Sequence, residues 1–369
     1  MSKMKVMTIV GTRPEIIRLS EVIKVFNDEF DHLLVHTGQN WDYTLNEIFF
    51  KDLALAPPNH ILQCVGENLG ATIGNIIHES YNLLLKEKPE ALLVLGDTNS
   101  CLSAIAAKRL KIPIFHMEAG NRCFDENVPE ETNRRIIDHI ADINLPYTEH
   151  ARRNLIAEGI KPQTIFVTGS PLPEVFQKHT ETIKASPILS QLKLEPKKFI
   201  LVSAHREENI DISEHFMSLM NALNQVATLY NLPIIFSTHP RTQAIIKAHN
   251  FKFHPLIQNI KPLGYMDYNK LQMESFCVLS DSGTLSEESS LLHFPAISIR
   301  TSTERPEGLD KGVMLLGGIT EKSIVNSINL ACNLSTKNGY SMPSDYVDTN
   351  VSIKVAQLIQ SYAPLIRKM

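Results

Sequence analysis

The stretch HMEAGNRCFDENVPEETNRR at residues 116–135 sets Glu118, Asp125, Glu130 and Glu131 among Arg122, Arg134 and Arg135. An apolar run, IPIF, leads into it, and IIDHIADI leads out. Carboxylates gathered at the end of a buried strand are a means of moving a proton on and off carbon. A second reading stays open. A carboxylate is expensive to bury alone, so Arg122, Arg134 or Arg135 could simply neutralise Glu118 in an ion-pair network. Pro129 followed by two acids also reads as a helix start, in which Glu130 serves only the helix dipole.

Other turns carry unusual residues, each after a strand-like run. In GTRPE (11–15), Gly11 allows a tight turn, Pro14 suits the first helical turn and Arg13 stands beside the helix N-terminus. Backbone N–H groups plus a guanidinium suit an anion, particularly a phosphate, although an ordinary turn with a surface arginine fits as well. In GDTNS (96–100), Asp97 could cap the next helix or act as a catalytic acid or base. Further on, SAHREEN (203–209), STHPR (237–241) and DSGTLSEES (281–289) cluster polar groups. There Ser282 and Gly283 precede a helix and offer N–H donors, His205 and Arg206 offer cations, and Glu287 and Glu288 lie one turn into the helix. TERPEG (303–308) adds Arg305.

The elements that position these turns alternate. Residues 4–10, 32–36, 92–95 and 113–118 are continuous apolar, strand-like runs, and residues 15–26 and 99–110 have helical spacing between them. Such an order predicts a parallel sheet covered on both faces. The pattern fades at 170–197, rich in Pro, Lys and Thr, which reads as a link between domains. It restarts with strands at 199–204, 232–238, 276–280 and 296–299 and a helix at 284–292. The expected fold is α/β, two doubly wound Rossmann-like domains facing across a cleft. Residues 1–175 form the first, with the carboxylates, and 176–355 the second. Residues 356–369 end an amphipathic helix that caps the chain or returns to the first domain. Ligands of such sheets sit beyond the carboxyl ends of the strands.

Totals narrow the classes. The chain has 369 residues, 43% hydrophobic and 21% charged, with formal net charge −4. Length alone suggests two domains, at roughly 100–200 residues each. Mixed charge argues against a nucleic-acid binder, which shows a basic face. Five cysteines without CxxC spacing argue against disulfides or zinc and for a reducing compartment. The apolar run near Met1 is too short for a signal peptide or membrane span, so a cytoplasmic protein is expected. GxGxxG, GxxxxGK[ST] and HExxH are all absent, so no cofactor and no metal are expected. Phosphate-binding, metal-free α/β chemistry points to nucleotide sugars.

GTRPE, TGQN, GDTNS, HMEAGNR, PEETNRR, SAHRE, DSGTLSEE and TERPEG, in this order, resemble the non-hydrolysing UDP-N-acetylglucosamine 2-epimerase family. Each motif is weak alone, and the ordered set is specific from residue 6 to about 315. The form HMEAGNRCFDENVPEETNRRIIDH looks most like the branch acting on UDP-2-acetamido-2,6-dideoxy-L-talose, which yields UDP-N-acetyl-L-fucosamine for capsule and O-antigen. The resemblance implies a glycosyltransferase GT-B-like fold, a homodimer and a UDP-sugar partner. It implies C2 epimerisation through UDP elimination to a 2-acetamidoglycal and re-addition. It places Asp97, Glu118 and Glu130 as proton-handling groups and His205 at the departing diphosphate. Arg13 falls at the phosphates, Ser282 and Gly283 in the β-phosphate loop, Glu288 at the ribose, Arg305 at a cleft arginine and Tyr268 beside uracil. Arg18 keeps the charge the family carries in its first helix.

Three features depart from the family. Thr284 replaces the second glycine of DSGG, Asn40 replaces the histidine of TGQH, and VGENLGATIGN lacks the glutamine-rich pattern of members activated by UDP-N-acetylglucosamine. The last of these argues against UDP-N-acetylglucosamine as substrate and as activator, and fits a 6-deoxy-sugar specialist. Rival expectations are the parent interconversion of UDP-N-acetylglucosamine and UDP-N-acetylmannosamine, a glycosyltransferase of the same architecture, a hydrolysing epimerase, and a binding module that has lost catalysis. The last should lack one of the three acids, and all three are present.

Overall fold

The computed structural model describes residues 3–38, 43–126, 128–238, 240–338 and 342–366. It divides into two compact units: Met1–Gln177 with Val347–Met369, and Lys178–Tyr346. Among the described residues, no helix is long and apolar enough to cross a membrane.

The first unit is built on strands β1 (Lys5–Val10), β2 (Asp31–His36), β3 (His60–Ile61), β4 (Ala91–Leu95), β5 (Ile114–Met117) and β6 (Ile143–Leu145). They form one parallel sheet in the order β3-β2-β1-β4-β5-β6. The second unit repeats this plan with β7 (Ile200–Ser203), β8 (Ile234–Ser237), β9 (Ile257–Ile260), β10 (Cys277–Ser280), β11 (Ala296–Ser298) and β12 (Met314–Leu316). Its order is β12-β11-β10-β7-β8-β9, again parallel. In each sheet the chain runs outward from its first strand, then returns to that strand's other side. The reversal leaves a switch point between β1 and β4, and another between β7 and β10, where strand-end loops diverge and leave room for a ligand.

All five residues of β4, ALLVL, are buried. A strand with helices on both faces has no polar side to show, and each enclosed Leu or Val contributes about 1.5–3 kcal/mol. In the second unit, Val202, Phe236 and Leu279 pack on one face, and Leu201, Ile235 and Val278 on the other.

The segment read as a link between domains carries a helix, Leu172–Ala185, followed by the short helix Ile188–Gln191. Pro171 and Pro173 stand at the start of the first and Pro187 caps the second. Proline is tolerated in a first turn, so these residues mark helix starts. The last helix, Val351–Ile366, packs on the Arg13–Glu29 helix. Its N-terminus is held by Glu174, whose carboxylate accepts from the Ser352 N–H (2.9 Å) and hydroxyl. An acid there satisfies open donors and complements the helix dipole. The Lys354 ammonium donates to the Thr168 carbonyl (3.0 Å), and Tyr362 stacks near Phe166.

Candidate active site

At the first switch point, β1 ends in Gly11-Thr12 and the Arg13–Glu29 helix begins. Glu15 is buried in its first turn. Its carboxylate accepts from the Gly11 N–H (3.0 Å) and the hydroxyls of Thr12 (2.8 Å), Thr98 (3.1 Å) and Ser100 (2.5 Å). It thus ties the turn after β1 to the turn after β4. Burial pushes its carboxyl above the ordinary range, outweighing these hydrogen bonds. Sequence reading passed over Glu15, although the T-x-x-E spacing of Thr12 and Glu15 is a capping-box signal. Arg13 is half-buried, its guanidinium carbon 5.6 Å from the centre of the Phe49 ring.

Asp97 does not cap the next helical turn, whose N-cap is Thr98. Its Oδ2 accepts from Arg134 Nε (2.7 Å), with Arg134 Nη2 also at 2.7 Å. Its carbonyl accepts from the Asn133 side chain (2.8 Å). A guanidinium that brings two N–H groups to one carboxylate oxygen outcompetes a backbone N–H, which overturns the capping alternative.

Glu118 follows β5 at φ +65°, in the left-handed region, and is 7% exposed. A non-glycine residue held there stores strain, which collects at functional sites. Its Oε2 is bonded by Arg18 Nη1, and its Oε1 accepts from Asn121 (3.3 Å). The neutralising arginine is therefore Arg18, not Arg122, Arg134 or Arg135. Arg122 is committed to Asp138 and Glu158, Arg134 to Asp97 and Glu131, and Arg135 lies near Glu126 and Glu131.

Glu130 is the first residue of the helix Glu130–Ile140 and is partly exposed. The inward stripe of that helix holds Glu131, Arg134, Ile137 and Asp138, so its buried face is largely charged. Glu131 accepts from the Cys123 N–H (3.2 Å) and Arg134 (2.8 Å), fixing the loop that precedes it. Asp97 and Glu118 leave adjacent strands at the same end, and Glu130 heads the helix whose Arg134 grips Asp97. Arg13, Arg18, Asp97, Glu118 and Glu130 thus all belong to the loops and helix starts around one end of the first sheet.

At the second switch point, Asp281 is fully buried at the end of β10. Its Oδ2 accepts the N–H groups of His205 (2.8 Å) and Arg206 (2.9 Å) and the Asn209 amide (3.2 Å). Its Oδ1 lies 3.2 Å from Nδ1 of His205, whose side chain is 48% exposed. Arg206, expected beside His205 as a cation for a diphosphate, donates to the Asp281 carbonyl (2.9 Å) and lies 3.4 Å from Glu304. Sequence reading quoted Asp281 within its motif without giving it this task.

Ser282, Gly283 and Thr284 lead into the helix Leu285–Leu292. A Cβ at Gly283 would sit 2.6 Å from Glu304 Oε1, so a larger residue there would push that carboxylate aside. Glu288 is held at both oxygens, by the Thr284 hydroxyl (2.7 Å) and the Gln272 amide (2.6 Å). Tyr268, in the helix Tyr265–Glu274, directs its hydroxyl to Ser203 and Ser280 at the ends of β7 and β10. Burial and nearby Glu288 push its phenol above the ordinary range. Arg305 is enclosed by acids of its own unit. It is 1% exposed, with Nη2 3.3 Å from Glu287 and Nη1 4.0 Å from Glu307. Asn40 lies outside the described residues.

Comparison with known proteins places this geometry. The UDP-N-acetylglucosamine 2-epimerase family profile matches residues 24–360. The solved UDP-N-acetylglucosamine 2-epimerase of Rickettsia bellii is 44% identical, with a TM-score of 0.91 over 100% of this chain and 99% of that one. The UDP-GlcNAc 2-epimerase of Methanocaldococcus jannaschii, solved with UDP-GlcNAc and UDP, is 32% identical, with a TM-score of 0.91 over 97% and 99% of the two chains. The UDP-2,3-diacetamido-2,3-dideoxy-D-glucuronate 2-epimerase of Pseudomonas aeruginosa is 35% identical over 88% of this chain and 91% of its own. Two parallel-sheet α/β domains of six strands each match the GT-B-like architecture of the solved epimerases. With the profile matching most of its length and these relatives aligned nearly end to end, the chain belongs to the UDP-N-acetylglucosamine 2-epimerase family.

Proposed function

We propose that this chain epimerises C2 of UDP-2-acetamido-2,6-dideoxy-L-talose, giving UDP-N-acetyl-L-fucosamine. The coarser activity, a UDP-sugar 2-epimerase and hence an isomerase, follows from the family. The observation that carries the mechanism is the placing of Asp97 and Glu118 at the same end of adjacent strands, each held by an arginine.

A base takes the C2 hydrogen as a proton while the C1–O bond breaks and UDP leaves with the electron pair. A C1=C2 double bond remains, the 2-acetamidoglycal. UDP then adds back to C1, and a proton reaches C2 on the opposite face. Nothing is consumed, and only the configuration at C2 changes. Asp97, Glu118 and Glu130 share the proton transfers. Arg18 and Arg134 hold two of these acids in place without removing the oxygens that exchange a proton.

UDP is held by the second unit. The N–H groups at Ser282, Gly283 and Thr284 receive phosphate oxygens, Glu288 receives the ribose hydroxyls and Tyr268 lies beside uracil. With Nδ1 of His205 turned to Asp281, its Nε2 is left for the diphosphate as the C1–O bond breaks. Arg13 adds a cation for the phosphates. Enclosed Arg305 holds Glu287 on the same helix as Glu288 and so acts on the ribose site from behind. We assign the chain to the cytoplasm, as a homodimer.

The L-talose substrate is supported by the sequence form at 116–139, by Thr284 and by the absence of the glutamine-rich pattern at 65–75. A second reading, UDP-N-acetylglucosamine 2-epimerase, is favoured by the names of the Rickettsia bellii and Methanocaldococcus jannaschii relatives. The Pseudomonas aeruginosa relative, named for a different sugar at comparable identity, shows that such identity does not fix the sugar. Proton NMR in D2O with each UDP sugar separates the readings. Deuterium at an inverted C2 with the L-talose substrate alone supports the first. The same result with UDP-N-acetylglucosamine replaces it with the second.

A further inference from the structure

We propose that His116 and Asp138 form a positioning dyad that sets Asp97 and Glu118 relative to one another. This rests on the epimerase reading above. His116 lies in β5, two residues before Glu118, and is 1% exposed. Its Nε2 is 2.9 Å from the carbonyl of Gly96, the residue before Asp97. Its Nδ1 is 2.9 Å from Asp138 Oδ1. Asp138 in turn accepts the N–H of Gly120, two residues beyond Glu118, at 3.2 Å and 3.1 Å. One imidazole–carboxylate pair therefore grips the backbone of both acid-bearing turns.

These turns need such a grip. Gly96 and Gly120 sit at φ +71° and +80°, and Glu118 between them in sequence at +65°. A Cβ on Gly120 would run into the Ala151 carbonyl. Backbone in this region persists only where its surroundings over-determine it. The Gly96 carbonyl can only accept, so Nε2 donates to it, and Asp138 also receives Gly120 and Arg122 (Nη1, 2.8 Å). Arg122 is closed off behind by Glu158, whose carboxyl it holds below the ordinary range. β5 is already joined to β4 and β6 through its main chain. The strand does not need histidine to exist, and what the side chain adds is placement.

The experiment uses the full chain. An asparagine amide can stand in for Nδ1 and a glutamine amide for Nε2, so His116→Asn drops the Gly96 arm and His116→Gln drops the Asp138 arm. Each variant is expected to lower kcat about 100-fold, the scale of a misplaced catalytic group. KM and the affinity for UDP should stay within about two-fold, because only transition-state geometry changes. Asp138→Asn should show the same split, and the double variant with His116→Asn should fall short of the product of the single losses. An unchanged kcat in folded His116 variants would overturn the dyad. So would a loss of kcat matched by equal losses in UDP affinity and thermal stability, which a purely structural role gives. Wild-type protein that exchanges no C2 hydrogen with any UDP-2-acetamido sugar would instead overturn the epimerase reading.

Discussion

The two sheets share one strand order and reverse at equivalent places, yet they furnish the reversal differently. Around the first reversal, the segments after β1, β4 and β5 carry full charges in pairs: Glu118 with Arg18, Asp97 with Arg134. Around the second reversal, between β7 and β10, ion pairs are present too, Arg206 with Glu304 and Arg305 with Glu287, but the turns themselves offer hydroxyls and N–H groups, and Asp281 spends much of its charge on backbone donors. On the proposed reading the difference follows from the tasks. A proton-transfer group must change charge during the reaction, so it is held by a neighbour that fixes its position and leaves it ionisable. A diphosphate needs donors that are aimed in advance and never change charge.

Removing one charge from the first region should have the largest effect. Glu118→Gln keeps the shape and the Asn121 contact but cannot take a proton, and epimerisation measured by NMR should fall about 1,000-fold. UDP binding, measured by calorimetry, should stay at the wild-type value. Wild-type turnover by this variant would mean that the charged region is scaffolding and that the contrast between regions has another cause. Asp97→Asn and Glu130→Gln should behave alike.

In the second region, Asp281→Asn should act on binding instead. It removes a charged acceptor from the His205–Arg206 turn, and UDP affinity should weaken about ten-fold. If kcat collapsed while affinity held, Asp281 would belong with the proton-transfer groups and the comparison would break. Thr284→Ala loses one hydrogen bond to Glu288, so KM should rise about five-fold with little change in kcat. A KM equal to wild type would show that Gln272 alone holds Glu288.

The smallest effect sharpens the exception. Glu15 lies in the charged region but is satisfied, like Asp281, by N–H and hydroxyl groups. Burial holds its folded carboxyl above the ordinary carboxylate range. A raised carboxyl favours the folded state while protonated, and that stability is lost as pH rises through the folded value. Wild-type melting temperature should therefore fall relative to that of Glu15→Gln as pH rises above the ordinary carboxylate range. A constant difference over that rise would place the titration elsewhere.

The inner strands of both sheets were legible because burial on two faces leaves continuous apolar runs. The strands that escaped notice, β3, β6, β9 and β12, are the outermost of each sheet. They are two to four residues long, and β3, β9 and β12 each expose at least one position, Ile61 at 54% among them. A strand paired on one side only need not be apolar throughout, so its signal fades into the loops. At the candidate site, residue type marked the acids, but their partners were hidden by distance along the chain. Arg18 and Glu118 are 100 residues apart, and Arg134 and Asp97 are 37 apart. Nearby arginines were the obvious partners from spacing, and tertiary geometry chose others. His116 and Asp138 did leave a trace, as polar residues set in apolar runs.

The return of Val347–Met369 to the first unit, pinned by Glu174, has a consequence for biosynthesis. A ribosome delivers the chain from its N-terminus, so the acid-bearing sheet emerges early but lacks its closing helix until the whole second unit has been made. The second unit has all its strands in one continuous segment and can close first. In the nascent chain, the second unit is therefore expected to reach protease resistance before the first, although its residues are translated later.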